Sequence, residues 1–92
     1  MSWTDHSASR IKLRDLRVFM VVANAGAMGR AASQLAVSQP VISKSIADLE
    51  NKLGVRLFDR SRRGVELTIF GRSLRDSGLA VFDELRHSVT RL

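Results

Sequence analysis

Apolar residues recur at intervals of three and four along the first part of the chain, which is the spacing of one helix face. The first such stripe consists of Leu13, Leu16, Phe19, Met20 and Ala23. Arg14, Asp15 and Arg17 fall off this stripe, and Gly26 follows it. Glycine just after the last periodic residue is a common helix stop. The pattern predicts a helix that begins near Leu13 and is ended by Gly26.

Two further helices are predicted before residue 55. A short one, about Met28 to Leu35, turns Ala31, Ala32 and Leu35 inward, and Ala27 is a poor residue for its N-cap. The next helix begins after Ser38, a good N-cap, and tolerates Pro40 in its first turn. Its core-facing stripe is Ile42, Ile46, Leu49 and Leu53, and Gly54 ends it.

The pattern changes after Gly54. Two short β-prone runs, residues 55–58 and 65–68, flank a polar segment, residues 59–64, that ends in glycine. This arrangement predicts a β-hairpin with a basic tip. Thr68 then caps a last helix from Ile69 to about Leu92, whose 24 residues would span about 36 Å. Gly71 and Gly78 each lower its intrinsic stability by about 1 kcal/mol relative to alanine.

Composition bounds the function. Ninety-two residues make one domain, and a net charge of +6, with 12 arginines, suggests a nucleic acid or another anionic surface as partner. The longest apolar run, residues 18–23, is far too short to cross a membrane. Cysteine is absent, and His6 and His87 lie far apart, so no metal site or cofactor is expected. Residues 1–10, including Trp3, are predicted to be a flexible leader.

Three helices followed by a basic hairpin give the element order of a winged helix-turn-helix. The fold class is therefore mainly α, with a three-helix core, a two-stranded wing and a long linker helix. The expected boundaries are 11–68 for the winged domain, with the helix-turn-helix at about 28–47 and the wing at about 55–68. Residues 69–92 form the linker helix.

The outer flank of the third helix is slim, as a helix entering a major groove must be. It carries Pro40, Ser43, Lys44 and Ala47 and no carboxylate, and Asp48 and Glu50 come late, toward the end expected to point away from DNA. A helix N-terminus also favours a phosphate.

Ser38, Gln39 and Ser43 can donate and accept hydrogen bonds. Gln39 can bond an adenine edge, and Lys44 can reach a guanine or a phosphate. The alternatives are that Ser38 is only a helix cap and that Gln39 and Ser43 are solvated surface.

The hairpin tip is the second candidate contact. Arg56, Arg60, Arg62 and Arg63 stand against a single acid, Asp59, which gives residues 56–63 a net charge of +3. A solvated charge run is the simplest interpretation of an isolated cluster. Beside a helix-turn-helix, contact with the DNA backbone or the minor groove is the better one. Arg60 and Arg63 are the leading candidates, and Arg56 can instead pair with Asp59 or face solvent.

From Leu16 to Thr68 the chain resembles the N-terminal DNA-binding domain of LysR-type transcriptional regulators. The resemblance is carried by Leu16-Arg17-Val18-Phe19, Arg30-Ala31-Ala32-Ser33-Gln34-Leu35, Val37-Ser38-Gln39-Pro40-Val41-Ile42-Ser43-Lys44, and Leu53-Gly54-Val55-Arg56-Leu57-Phe58-Asp59-Arg60. It places Gln39, Pro40, Ser43 and Lys44 at base-reading positions and Arg60 on the wing.

Two residues depart from the family pattern. Lys44 stands where the family mostly has arginine, which weakens the case for a bidentate guanine contact. Ala27 replaces the usual serine or asparagine cap, which weakens a phosphate contact there.

The resemblance also implies a bacterial, cytoplasmic, nucleoid-associated regulator. It implies a homodimer on a partly palindromic DNA site, with paired antiparallel linker helices. The residues expected at the dimer seam are Phe70, Leu74, Val81, Phe82, Leu85, Val89 and Leu92. Packing within one chain is the alternative for these residues. A larger C-terminal effector domain and tetramers are expected of a full-length protein, so a chain ending at Leu92 is expected to be a DNA-binding fragment without an effector site.

Two other functions compete with DNA binding. A protein-interaction module would use the last helix as its contact surface, with the basic wing serving only solubility. An enzyme is close to excluded, because there are no paired carboxylates on an apolar face, no glycine-rich phosphate loop, and no histidine placed to activate a serine.

Overall fold

Residues 11–92, the part of the chain that the computed structural model describes, form four helices and one antiparallel hairpin. They are α1 (Leu13–Ala25), α2 (Met28–Leu35), α3 (Gln39–Leu53), β1 (Phe58–Ser61), β2 (Gly64–Leu67) and α4 (Ile69–Thr90). This is a winged helix-turn-helix followed by a long helix, as the sequence predicts. The leader predicted at residues 1–10 lies outside the described residues.

The core lies where α1, α2 and α3 meet under the base of the hairpin. Its buried side chains are Leu16, Phe19, Val22, Met28, Ala31, Ala32, Ile42, Ile46, Leu49, Leu57 and Phe58. The rings of Phe19 and Phe58 lie 5.2 Å apart, which joins α1 to the hairpin. The predicted inner stripe of α1 needs one correction, since Leu13 is half exposed and Val22 takes its place in the core.

The turn between α2 and α3 is made without glycine. Ala36 ends α2 in the left-handed region, at φ 57°, and its neighbour Val37 donates to the Ala32 carbonyl at 3.0 Å. The left-handed conformation costs a non-glycine residue about 1–2 kcal/mol. The helices on either side are packed into the core, so the turn is held in place despite this cost.

The hairpin starts later than the sequence predicts. Its register pairs Phe58 with Leu67 and Ser61 with Gly64, so only Arg62 and Arg63 lie in the turn. The strands predicted at 55–58 and 65–68 are therefore shifted from those observed, because residues 55–57 connect α3 to the hairpin instead of pairing with β2. The buried Leu57 side chain and the bonds of its backbone to neighbouring elements hold this connection in place.

Helix α4 packs across α1 and against β2, and two glycines allow this close approach. A Cβ atom on Gly71 would overlap the Leu57 carbonyl oxygen, and one on Gly78 would lie 2.6 Å from the Met20 sulfur. Within residues 11–92, no helix combines the length and the apolar character that crossing a membrane requires.

The inner face of α4 also contains two residues that the sequence assigned to a dimer seam. Leu74 and Phe82 are partly buried and pack against the core of their own chain. They share a face with Gly71 and Gly78, since the four are spaced three and four residues apart. At these two positions the packing within one chain, given as the alternative, is observed, and their part in a dimer seam stays a prediction.

Candidate nucleic-acid interface

The N-terminal end of α3 lies open at the surface. Ser38 occupies the N-cap position, as predicted, but its side chain makes no capping hydrogen bond. Only the Ser38 backbone carbonyl takes part, accepting from the Ile42 amide at 3.4 Å. The first-turn amides of α3 and the positive end of its dipole therefore remain uncovered by this side chain.

Gln39 and Pro40 are exposed at the same end of the helix. The side-chain oxygen of Gln39 lies 3.4 Å from the point where a Cβ atom on Gly29 would stand. The amide of Gln39 therefore rests over the first turn of α2, and the missing side chain at position 29 leaves it room. Ser43, one turn further along, is only partly exposed.

The sequence predicts an exposed flank of α3 without a carboxylate, but Asp48 lies on this flank. Lys44 Nζ lies 3.2 Å from Asp48 Oδ2, and the two side chains are 78% and 53% exposed. An exposed pair of this kind contributes about 0.3–0.5 kcal/mol. Lys44 therefore has a local partner that any other anion must displace, and Asp48 belongs to the flank instead of lying beyond it.

Glu50 has a role that the sequence did not reveal. Its Oε2 accepts a hydrogen bond from the Leu57 amide at 2.7 Å and another from the Phe58 amide at 3.4 Å. The half-buried carboxylate is thus engaged with the base of the hairpin. The only sequence signal for this arrangement is that Glu50 shortly precedes the turn that begins at Gly54, and this signal is weak.

The hairpin has two chemically different faces. Successive strand residues point to opposite sides, so Arg60 shares a side with Phe58 and with its partner Val65. Asp59 and Glu66 pair with each other on the other side, and both are exposed. The arginine side of the hairpin is therefore basic and its opposite side acidic.

The arginines beside the hairpin have separate positions. Arg62 and Arg63 occupy the exposed turn, where the Arg63 amide donates to the Ser61 hydroxyl at 3.3 Å. Arg56 is exposed, as one of its predicted alternatives has it, and it donates to the Phe58 carbonyl at 3.3 Å instead of pairing with Asp59. Arg60 and Arg56 border a cleft of about 520 Å³ between α3 and the hairpin, which Glu50 and Asn51 line from the other side.

One short segment, residues 26–29, brings the two candidate contact regions together. Gln39 reaches Gly29 at one end of this segment. At the other end, the Val65 amide donates to the Gly26 carbonyl at 3.0 Å, and Gly64 lies against Gly26 and Ala27. The start of α3 and the turn end of the hairpin thus contact opposite ends of the same four-residue segment, which leads into α2.

Most of the other predicted seam residues lie in the second half of α4. Phe70, Val81, Leu85 and Val89 are exposed, as is Leu92 beyond the end of the helix. Two further exposed apolar residues, Ile69 and Leu79, were not predicted. Val81, Leu85, Val89 and Leu92 follow Gly78 at intervals of three and four, so they continue the apolar stripe that packs on the domain at Gly71, Leu74 and Gly78. This stripe is covered near the start of α4 and open toward its end.

Comparison with known proteins identifies the family. A family model described as "Bacterial regulatory helix-turn-helix protein, lysR family" matches residues 13–72, from the start of α1 into the first turn of α4. The chain belongs to the LysR family. The resemblance drawn from the sequence is confirmed.

The relatives of this LysR-family chain are longer proteins. It is 42% identical over 78 residues to the uncharacterized HTH-type transcriptional regulator YdcI of Escherichia coli (strain K12). That alignment covers 85% of this chain and 25% of YdcI, so the chain spans about a quarter of that relative's length.

Two solved LysR-type structures contain DNA. The CbnR_DBD–DNA complex matches with a TM-score of 0.81 and 40% identity, covering 88% of this chain and 93% of that one. The BenM_DBD/benA site 1 DNA complex matches with a TM-score of 0.83 and 30% identity, covering 88% and 94%. The fold assigned here is therefore the fold of these domains.

Proposed function

We propose that this LysR-family chain binds double-stranded DNA with sequence specificity, as the DNA-binding domain of a bacterial transcriptional regulator. The observation that carries the proposal is the pairing of an uncapped, exposed start of α3 with an arginine-tipped hairpin at the same short segment, residues 26–29. DNA in the solved CbnR and BenM complexes supports it.

In this proposal the start of α3 enters the major groove. Gln39 and Lys44 contact base edges, and Ser38, Pro40 and Ser43 complete the contact surface. A bidentate glutamine–adenine contact would give preference at one base pair, whereas Lys44 acts as a point charge. Lys44 must leave Asp48 to do so, a small cost for an exposed pair.

The hairpin contacts the DNA backbone or minor groove with Arg60, Arg62 and Arg63. Its acidic side, Asp59 and Glu66, repels phosphate, so the DNA approaches from the side of Arg60. The same orientation turns the arginines toward the duplex that α3 occupies. The hairpin would therefore supply affinity and α3 specificity.

The open part of this apolar stripe, toward the end of α4, supports a homodimer. Phe70, Val81, Leu85, Val89 and Leu92 would pair with the same residues of a second copy. Two-fold symmetry then requires a partly palindromic site with half-sites about 10 bp apart or a multiple of that. Such a regulator would act in the cytoplasm, at the nucleoid.

The experiment has two stages. Selection of bound sequences from a random duplex library first gives the preferred site. Gln39→Ala should then lose preference at one base pair, costing about 1–3 kcal/mol on that site and little on scrambled DNA. Arg63→Ala should weaken both duplexes alike and reduce the salt slope by about 0.9.

Arg86→Ala is the matched control, because Arg86 lies far along α4 and pairs with Asp83. Equal losses from Gln39→Ala and Arg63→Ala on both duplexes would refute the division of roles. Absence of any gel shift with random duplex at moderate salt would favour a protein-interaction module instead.

The dimer is tested separately by sedimentation. Leu85→Glu and Val89→Glu change residues that are exposed in the single chain, so each variant should fold and sediment as a monomer. Phe82→Ala, on the inner face, should instead lower stability. A native chain that sediments as a monomer at every concentration would refute pairing through α4.

A further inference from the structure

Residues 56–58 connect three parts of the molecule by hydrogen bonds. From α3, the Glu50 carboxylate accepts from the amides of Leu57 and Phe58. From the α4 side, the Thr68 amide donates to the Leu57 carbonyl at 3.0 Å and the Thr68 hydroxyl to the Arg56 carbonyl at 2.6 Å. The segment is therefore fixed on both sides, between α3 and the start of α4.

Glu50 makes the α3 side of this junction alone. Among residues 11–92, its two bonds are the only hydrogen bonds that an α3 side chain makes to the hairpin or to the segment leading into it. The remaining link there is apolar packing of Leu57 and Phe58 in the core, which is less directional than a hydrogen bond. Glu50 is thus the one α3 side chain that fixes by hydrogen bonds how the segment into the hairpin leaves that helix, while the Val65–Gly26 bond holds the hairpin near its turn.

We infer that Glu50 is a positioning residue, which holds the arginine side of the hairpin at the distance from α3 that lets both contact one duplex. The inference rests on the proposed DNA binding. Glu50 touches no DNA in this scheme, because its carboxylate is turned toward backbone amides and lines the cleft opposite Arg60. It acts through the hairpin, and its loss should reduce what the hairpin arginines contribute.

Because Glu50 is negatively charged, a positioning role can be distinguished from a direct electrostatic effect of its charge on DNA binding. Removing a negative charge near a polyanion should leave DNA binding unchanged or make it tighter. Removing the acceptor that fixes the hairpin should make binding weaker. Glu50→Ala and Glu50→Gln remove the same charge, but glutamine keeps an oxygen that can accept from the two amides.

The test uses fluorescence anisotropy of the 92-residue chain with a labelled mixed-sequence duplex. Glu50→Ala should weaken binding about threefold or more, and Glu50→Gln should recover part of the loss. When Arg60, Arg62 and Arg63 are already alanine, Glu50→Ala should change the affinity less than about twofold, because the coupling acts through them. Glu66→Gln, which removes an exposed charge from the hairpin, is the matched control and should bind equally or more tightly.

The outcomes separate the two proposals. If Arg63→Ala leaves binding unchanged, the hairpin contact itself is refuted, and the inference about Glu50 falls with it. If Arg63→Ala weakens binding but Glu50→Ala binds as tightly as the native chain, or its effect multiplies independently of Arg60, Arg62 and Arg63, only the role of Glu50 is overturned. Thermal unfolding shows whether Glu50→Ala is folded at the assay temperature, and if it is not, the comparison of Glu50→Gln with the native chain decides.

Discussion

Gly64→Ala tests how the hairpin is attached to the helix-turn-helix. Gly64 has φ 130°, a conformation that residues with a side chain rarely adopt. A Cβ atom there would overlap the carbonyl oxygen of Gly26 and lie 3.3 Å from its carbonyl carbon. The same oxygen accepts the Val65 amide, so the hairpin cannot move away from the overlap without losing that bond.

The expected cost follows from these contacts. The backbone conformation alone costs alanine about 1–3 kcal/mol. Moving the hairpin away costs about 1 kcal/mol more for the lost hydrogen bond. We therefore expect Gly64→Ala to lower the free energy of unfolding by about 3 kcal/mol, a large part of the stability of a small domain.

Gly54→Ala is the control for conformational strain. Gly54 has φ 72°, but nothing lies within 4 Å of a Cβ atom built on it. Alanine there should cost only about 1 kcal/mol. Urea unfolding followed by circular dichroism gives both values, and hydrogen exchange of the Val65 amide reports release of the hairpin. If the two variants agree within about 0.5 kcal/mol and Val65 stays protected, the close approach is not a constraint.

Three further predictions use the same measurements. Gly71→Ala should lower the free energy of unfolding by about 2 kcal/mol or more, because the new Cβ atom meets a backbone carbonyl. Gly78→Ala should stay within about 1 kcal/mol of the native value, because its Cβ atom meets a flexible methionine side chain. Equal effects of the two substitutions would contradict this reasoning. Asp48→Asn should tighten binding to mixed-sequence duplex about two- to fivefold and steepen its salt dependence, because it frees Lys44; weaker binding in anisotropy titrations would exclude this. Ala36→Gly should raise the free energy of unfolding by about 0.5–1 kcal/mol by relieving the left-handed turn, and a lower value in urea would show that the turn is unstrained.

The three-helix core could be predicted from the sequence because two independent signals agree there. The helical spacing of Ile42, Ile46 and Leu49 selects a buried face, and all three are buried. Gly26 and Gly54 mark the ends of α1 and α3, and both adopt the left-handed conformation. Ala36 also adopts the left-handed conformation, but it is not a glycine, so the sequence gives no signal for it. The geometry of the α2–α3 turn therefore could not be predicted.

Features that depend on contacts distant in sequence were harder to predict. Periodicity places Leu74 and Val81 on one apolar helix, but only packing shows that the first lies against its own domain and the second in the open. The carboxylate of Glu50 binds amides seven and eight residues away, across a turn whose shape no local pattern gives. Composition predicts the basic hairpin, whereas only the strand register separates Arg60 from Asp59 and Glu66.

The bonds of Thr68 make α4 a rigid arm with a fixed base. Thr68 accepts from the Gly71 amide at 3.1 Å and also bonds to the carbonyls of Arg56 and Leu57, so the first turn of the helix is tied to the segment that leads into the hairpin. The 22 residues of α4 extend about 33 Å from that base, and a tilt of about 10° there would carry the far end through roughly 6 Å. A small change at this base would therefore be amplified toward the far end of α4, so the bonds of Thr68 to residues 56 and 57 act together with the packing of α4 on α1 in setting the direction of the helix.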